Sequence, residues 1–144
     1  MIFSPRTMPV DAAAARDHRL EIMDRQPRKW LTDRASIEDL AGQQGLSGSV
    51  IAAMAPAGYR VGQGKLCRLD GRVFLHLVYT NGAANFSVFL QNTQEIAGAR
   101  PIYTDKLGTE HIAGFEIHGL TALIVTEQSG NAALRLARRA TAVL

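Results

Sequence analysis

Apolar and polar positions along residues 58–91 follow a strand-like pattern broken by two turn signals, which predicts three antiparallel strands. The first signal is Asp70-Gly71, a pair typical of a two-residue type I′ turn, in which both central residues adopt positive φ. Such a turn pairs Leu69 with Arg72 and so fixes the register of the first hairpin.

This register brings together the residues with the most chemical interest in the chain. Counting back from the turn places Cys67 opposite Phe74 and Lys65 opposite His76. Because side chains alternate between the faces of a strand, Cys67, Phe74 and His76 are predicted to share one face. Cys67 and His76 are then diagonal neighbours, about 7–8 Å apart at the backbone.

A second two-residue turn is predicted at Asn81-Gly82. It would pair the strands on either side as Leu77 with Phe86, Leu75 with Val88 and Val73 with Leu90. The other face of the sheet would then gather Cys67, Phe74, His76, Val78, Ser87 and Phe89. Since both faces are largely apolar, we expect helices or a second chain to cover each of them.

Helical periodicity predicts an N-terminal helix that starts with Asp11 as its N-cap and runs to Arg25. Glu21 and Arg25 are spaced for an (i, i+4) ion pair, and Pro27 stops the helix or lies just beyond it. The alternation around Leu20 is also compatible with a short strand.

The remaining elements follow from shorter patterns. Two helical segments are expected at residues 36–45 and 49–54, and a C-terminal helix is expected after a cap at Ser129 or Asn131. Strands are expected at 100–104, 113–117 and 120–126, the last two joined by a turn at His118-Gly119. The predicted class is α+β: an antiparallel meander of about five strands, covered by N-terminal helices and a C-terminal helix.

Composition narrows the class of protein. The chain has 144 residues, 47% of them hydrophobic, which suits a single domain spanning 1–144, with residues 1–10 as a flexible N-terminal segment. No apolar run is long enough for a membrane helix, and no export signal is recognisable at the N-terminus. The net charge of +3 comes from dispersed arginines, so no nucleic acid partner is expected.

Several segments together carry a resemblance to a known family. They are the stretch from Arg16 to Arg19 ahead of Trp30-Leu31, then GYRVGQGKL, GRVFLHLVYTNGAANFSVFLQ and GFEIHGLTALIVT, and a final short helix. In this order they resemble the extracytoplasmic region of bacterial single-pass transmembrane anti-sigma factors, over nearly the whole chain.

The resemblance implies a regulatory domain on the periplasmic face of the inner membrane that controls transcription. In this family a cytoplasmic zinc-containing helical domain binds the sigma factor, and a membrane helix follows it. Both would lie outside these 144 residues. A sigma factor and the membrane would therefore be contacted only through those parts, and no sigma-binding residue carries over to this chain.

The same resemblance suggests a candidate metal site. Some relatives present His-x-x-Cys in the first segment and a Cys followed by His-Leu in the second hairpin, and here these positions are His18 with Glu21 and Cys67 with His76. Such a set suits Zn or Cu, whereas Glu21 in place of a cysteine argues against a dithiol switch. The plainer interpretation is that Cys67 and His76 are packing residues.

No motif supplies a nucleophile, a base and an oxyanion donor together, so the chain is interpreted as a non-enzymatic sensory domain. The alternative is a stand-alone metal-binding or small-molecule-binding sensor that uses the face of Cys67 and His76. We also expect an exposed apolar patch for a protein partner or for self-association, near the first strand or around Leu134 and Leu136.

Overall fold

The computed structural model describes residues 9–25, 28–92 and 100–144. The helices in these ranges are α1 (Pro9–Asp17), which continues as a π-helical turn (His18–Met23), α2 (Arg34–Gln43), α3 (Gly48–Ala53) and α4 (Gly130–Val143). The strands are β1 (Arg60–Leu69), β2 (Arg72–Thr80), β3 (Asn85–Asn92), β4 (Arg100–Leu107), β5 (Glu110–Ile117) and β6 (Leu120–Thr126).

All described strands belong to one antiparallel sheet with the order β1-β2-β3-β6-β5-β4. The α+β class, with N-terminal helices and a C-terminal helix over the sheet, is confirmed. The sheet has six strands where about five were expected. It is not a simple meander, because β6 returns to lie between β3 and β5.

The register of the first hairpin is confirmed. Cys67 lies opposite Phe74, and Lys65 lies opposite His76. Asp70 and Gly71 both have positive φ, 51° and 77°, as a type I′ turn requires. Local turn chemistry alone therefore sets the alignment of the two strands that carry the candidate site.

The predicted register of the second hairpin is wrong by two residues. The chain turns through a four-residue loop, 81–84, in which the Asn81 side chain accepts hydrogen bonds from the backbone N–H groups of Ala83 and Ala84. The pairs are Tyr79 with Phe86, Leu77 with Val88 and Leu75 with Leu90. A shift of two residues keeps every side chain on its predicted face, so Ser87 and Phe89 still lie on the face of His76.

Helices cover both faces of the sheet. Helices α2, α3 and α4 bury Ile37, Ile51 and Ala137 against one face, in a cluster with Leu77 and Tyr79 of β2. The N-terminal helix covers the other face, where its small and branched residues pack on aromatic and aliphatic side chains: Val10, Ala14 and Ala15 with Phe74, Phe89 and Leu123.

The N-terminal helix differs from the prediction in two respects. In the described chain it already includes Pro9 and Val10, so Asp11 lies inside the helix rather than at its N-cap. Residues 1–8 and Pro27 lie outside the described ranges. Asp11 is buried and accepts a hydrogen bond from the Tyr103 hydroxyl at 2.8 Å, which ties the helix to β4.

The cap of the C-terminal helix is confirmed as Ser129, whose hydroxyl oxygen accepts a hydrogen bond from the Ala132 N–H at 3.0 Å. Leu134 and Leu136 on this helix are half-buried rather than exposed. Among the described residues, Leu66 of β1 and Val73 of β2 are exposed large apolar side chains, and binding of a partner or a second copy near the first strand stays a prediction. No helix in the described ranges has the length and apolar character to cross a membrane.

Candidate functional site: a buried polar relay

The π-helical turn directs two polar side chains of the N-terminal helix into the interior. His18, Glu21 and Ile22 of this turn are all buried against the sheet. A π turn carries an extra residue relative to an α-helix, and such turns are frequent at functional sites. The turn therefore delivers an imidazole and a carboxylate to the same face of the sheet as His76.

A chain of hydrogen bonds runs from this helix across the sheet. His18 Nε2 lies 2.9 Å from Glu127 Oε2, just after β6, and His18 Nδ1 lies 2.7 Å from Ser87 Oγ on β3. Ser87 Oγ in turn lies 2.8 Å from His76 Nε2 on β2. We call the four side chains Glu127, His18, Ser87 and His76 the polar relay. His18, Ser87 and His76 are completely buried.

Glu21 stands at the end of the relay and holds two cations. Its Oε1 atom lies 2.8 Å from Arg28 Nε and 3.0 Å from Lys65 Nζ. Its Oε2 atom lies 3.6 Å from His76 Nδ1, too far for a hydrogen bond of normal strength. Neither Glu21 Oε2 nor His76 Nδ1 has a hydrogen-bond partner among the described residues. Glu21 thus links the N-terminal helix to β1 and faces β2.

The electrostatics of the site keep Glu21 ionised and His76 neutral. Burial alone would raise the pKa of Glu21, but the neighbouring His76 and Lys65 lower it to about 2. Burial lowers the pKa of His76 to about 4, against the opposing attraction of Glu21. Because Lys65 already balances the carboxylate, a second positive charge on His76 would be poorly compensated in this interior.

The single hydroxyl proton of Ser87 couples the two imidazoles. When His18 Nδ1 accepts from Ser87, Ser87 Oγ accepts from His76 Nε2–H, and His76 Nδ1 is without a proton. When His18 Nδ1 donates to Ser87 instead, Ser87 donates to His76 Nε2, and His76 Nδ1–H faces Glu21 Oε2 at 3.6 Å.

Aromatic rings enclose His76. Phe89 stacks on the imidazole with ring centroids 4.0 Å apart, and Trp30 meets it edge-on at 5.0 Å. The Lys65 ammonium lies 5.0 Å from the centroid of the Trp30 ring. Trp30 is brought here because Leu31 and Gly64 exchange backbone hydrogen bonds of 2.9 Å along the edge of β1.

Cys67 packs beside this site without joining it. The thiol is half-buried and contacts the apolar cluster of Phe74 and Phe89. Burial, followed by the nearby carboxylates of Asp17 and Glu21, raises the pKa of Cys67 to about 12 against the effect of Lys65. The thiol therefore has little nucleophilic or metal-binding character at neutral pH.

The four residues proposed as metal ligands are brought to one face but not into a coordination shell. His18 is separated from His76 by Ser87, and Glu21 is engaged by Lys65. Within the described ranges, no three His, Cys, Asp or Glu side chains are grouped so that they could hold a metal ion. Zn or Cu binding by these residues stays a prediction.

Sequence patterns missed half of the site. The strand patterns place Lys65 and Ser87 but give neither a role, and Trp30 enters only as part of the family resemblance. Glu127 carried no signal, because it simply follows a buried strand. The predicted pair of Glu21 with Arg25 is replaced by contacts with Arg28 and Lys65.

A cavity of about 380 Å³ leads from the surface to this site. Its lining includes Glu21, Arg25, Arg28 and Trp30. Glu21 is therefore accessible to a small molecule, although His18, Ser87 and His76 are closed to solvent.

Comparisons with known proteins identify no family for this chain. No family model matches the chain, and a search of curated proteins finds no match. One chain of the solved MucA/MucB complex of Pseudomonas aeruginosa, which contains the anti-sigma factor MucA, is similar over 57% of this chain and 30% of that chain. The sequence identity is 21% and the TM-score is 0.44. A likeness at this TM-score and identity carries no argument about the class or the function of this chain.

Proposed function

We propose that this chain is a non-enzymatic sensory domain, the periplasmic part of a membrane-bound anti-sigma factor, and that its N-terminal helix is the element that transmits the signal. In that family the membrane helix precedes the outer domain, so the N-terminal helix is the nearest described element to the membrane. The resemblance of the sequence supports the family. The buried polar relay supports the role of the helix.

One observation carries the proposal: polar and charged contacts, rather than apolar packing alone, fasten the end of the N-terminal helix to the sheet. His18 and Glu21 reach β1, β2, β3 and the end of β6 through Lys65, Ser87 and Glu127. Buried polar contacts are lost together once one member is removed, because each partner is then left unsatisfied in the interior. Such a connection favours two states, fastened and released.

The candidate nucleophiles are consistent with a non-enzymatic role. Ser87 is completely buried, and both of its imidazole neighbours are held in the relay. The Cys67 thiol resists ionisation, since its pKa is raised to about 12. A nucleophile needs access to its substrate and an activated form.

The first test measures release of the helix. Glu21→Gln removes the charge that holds Lys65 and Arg28, so amides of residues 9–23 should exchange with deuterium at least about tenfold faster than in wild type. Glu38→Gln removes the partner of Arg34 in an exposed pair on α2 and should leave this exchange unchanged. Equal exchange in wild type and Glu21→Gln would contradict the role of the helix.

The second test concerns the family. The full-length gene product should contain a membrane-spanning segment ahead of this chain, and Glu21→Gln in that product should raise transcription from a reporter of the cognate sigma factor without a signal. A full-length product that has no such segment would overturn the anti-sigma assignment. Faster exchange in the isolated chain would still support the release of the helix.

The cavity beside Glu21 favours one alternative, a sensor that binds a metal ion or a small molecule at the face of Cys67 and His76. Glu21 Oε2 and His76 Nδ1, both unpartnered among the described residues, would be the first ligands of a metal ion. Calorimetric titration with Zn²⁺ tests this: a saturable heat lost in His76→Gln would support a metal sensor. No heat, or the same affinity in the variant, would exclude it.

A further inference from the structure

A second cavity, on the opposite face of the sheet from the relay, has the features of a ligand site. It has a volume of about 340 Å³ and lies between α4, the segment that precedes β1 and the end of β6. This volume is within the range of small-molecule sites, about 300–1,000 Å³. Its walls combine an apolar floor with two arginines.

The apolar floor is preformed. The rings of Tyr59 and Phe86 lie 5.3 Å apart, and Phe86 stacks on Tyr79 at 5.0 Å. The hydroxyl of Tyr79 donates a 2.6 Å hydrogen bond to the carbonyl of Ile51, which fixes this stack against α3. Leu136 of α4 completes the floor. A flat apolar ligand would meet rings that are already held in place.

Two arginines at the rim make no ion pair within the described residues. Arg135 and Arg139 lie four residues apart on α4, so both guanidinium groups are on the same side of the helix. Helix α4 contains no acidic residue, and neither arginine makes an ion pair with the described part of the chain. Like charges at this spacing repel each other, and an anion between them would relieve the repulsion.

Two further polar groups line the same cavity. Gln128 Nε2 lies 3.4 Å from the Tyr59 hydroxyl, a long and weak hydrogen bond that leaves both groups able to contact a ligand. Together with the arginines they provide donors on one side of an aromatic floor. This arrangement suits an anion with an apolar body.

We propose that this cavity binds a small free organic anion, a carboxylate or sulfonate carried on an aromatic or aliphatic body. The apolar body lies on Tyr59, Phe86 and Leu136, and the anionic group lies between Arg135 and Arg139. This site is distinct from the relay and does not depend on the anti-sigma assignment.

Two fluorescent probes that share an N-phenylnaphthylamine core test the proposal: 1-anilinonaphthalene-8-sulfonate, which is anionic, and N-phenyl-1-naphthylamine, which is neutral. The anionic probe should bind at one saturable site, and the neutral probe should bind more weakly. Arg135→Gln or Arg139→Gln should each weaken binding of the anionic probe about threefold, and the double variant about tenfold.

Arg138→Gln is the matched control, since Arg138 is an exposed arginine of the same helix that does not line the cavity. It should leave the affinity for both probes unchanged, and 1-naphthoate should displace the anionic probe from wild type. Circular dichroism of every variant should match wild type, which excludes binding to an unfolded fraction. Equal affinity for the two probes, an equal loss in Arg138→Gln, or no saturable binding would overturn the proposal.

Discussion

Glu21 Oε2 and His76 Nδ1 face each other at 3.6 Å in the interior, and each is without a hydrogen-bond partner among the described residues. Their surroundings hold the two atoms in place, here through Lys65 on Glu21 and Ser87 on His76. The pair sits where the N-terminal helix meets β2. A change in the protonation of Glu21 or His76 should therefore change the free energy of unfolding.

Stability should fall as the pH decreases from neutrality. The pKa of His76 is lowered from 6.5 to about 4, so the folded state excludes a proton that the unfolded state binds below pH 6.5. The contribution of His76 to the free energy of unfolding is fully present above pH 6.5. It is lost as the pH falls toward 4, by up to roughly 3 kcal/mol. The lowered pKa of Glu21 acts in the same direction between pH 4.5 and about 2.

Urea denaturation at pH 7, 5.5 and 4.5 checks this dependence. The groups around His76 are Glu21, Lys65 and His18, so His76→Gln should be less stable at pH 7 but should lose less stability on acidification. His118→Asn removes an exposed turn histidine and should keep the wild-type dependence. If the free energy of unfolding of His76→Gln depends on pH as steeply as that of wild type, another group is responsible for the pH dependence.

Ser87→Ala should interrupt the relay. The two imidazole nitrogens that contact Ser87 Oγ would lose their partner in a site without solvent, at a cost of about 1–3 kcal/mol. Proton–nitrogen correlation spectra of the imidazoles should show different tautomers of His18 and His76 in the variant and in wild type. The exposed Ser49→Ala should change stability by less than about 0.5 kcal/mol. Unchanged imidazole tautomers in Ser87→Ala would contradict the coupling.

Cys67 should react slowly while the protein is folded. Burial and the raised pKa, about 12, leave little thiolate at pH 8. Because Cys67 is the only cysteine, an aromatic disulfide reagent reports on it alone. We expect native protein to react more than about tenfold slower than protein in concentrated urea. Comparable rates would indicate an accessible, ionised thiol and would revive thiol sensing.

Gly114→Ala should loosen the N-terminal helix through Tyr103, which lies on the same face of the sheet. A Cβ atom at Gly114 would lie 2.5 Å from Tyr103 Cζ, so the ring must move. The ring is held by its hydrogen bond to Asp11 and by Arg100, whose guanidinium lies 4.1 Å from the ring centroid. We expect a loss of about 1–3 kcal/mol, measured by urea denaturation.

The double variant Gly114→Ala with Tyr103→Phe provides the control for this prediction. If loss of the Asp11 contact is a large part of the cost, the two changes will be clearly non-additive. Additive losses of stability would indicate that the cost of Gly114→Ala arises from other contacts of β5.

Local chemistry explains which parts of this fold were predictable. Asp70-Gly71 and His118-Gly119 are short turns whose residues accept positive φ, so the sequence predicts both hairpins correctly. At Asn81 the same logic fails, because the Asn side chain caps a longer loop with hydrogen bonds of its own. The position of β6 beside β3 depends on pairing between distant segments, for which no local pattern exists.

The candidate site, like the fold, could be predicted only where a local pattern determines it. The shared face of Cys67, Phe74 and His76 follows from strand alternation and is confirmed. The partners of His18 do not follow from any spacing, because Ser87 and Glu127 are 69 and 109 residues away in the chain. The contacts between distant segments, rather than the residue types, decide that His18 joins the relay.

The π-helical turn at His18–Met23 makes the site sensitive to insertions and deletions as well as to substitutions. A π turn accommodates one residue more than an α-helical turn, so deleting one residue from it would restore α-helical spacing and change the angle between the side chains of the turn. His18 and Glu21 could then no longer keep their contacts with Ser87 and Lys65 together. A one-codon deletion that leaves every functional residue type in place would therefore disable the site, and sequence alignments of relatives should be examined for a gap at this turn.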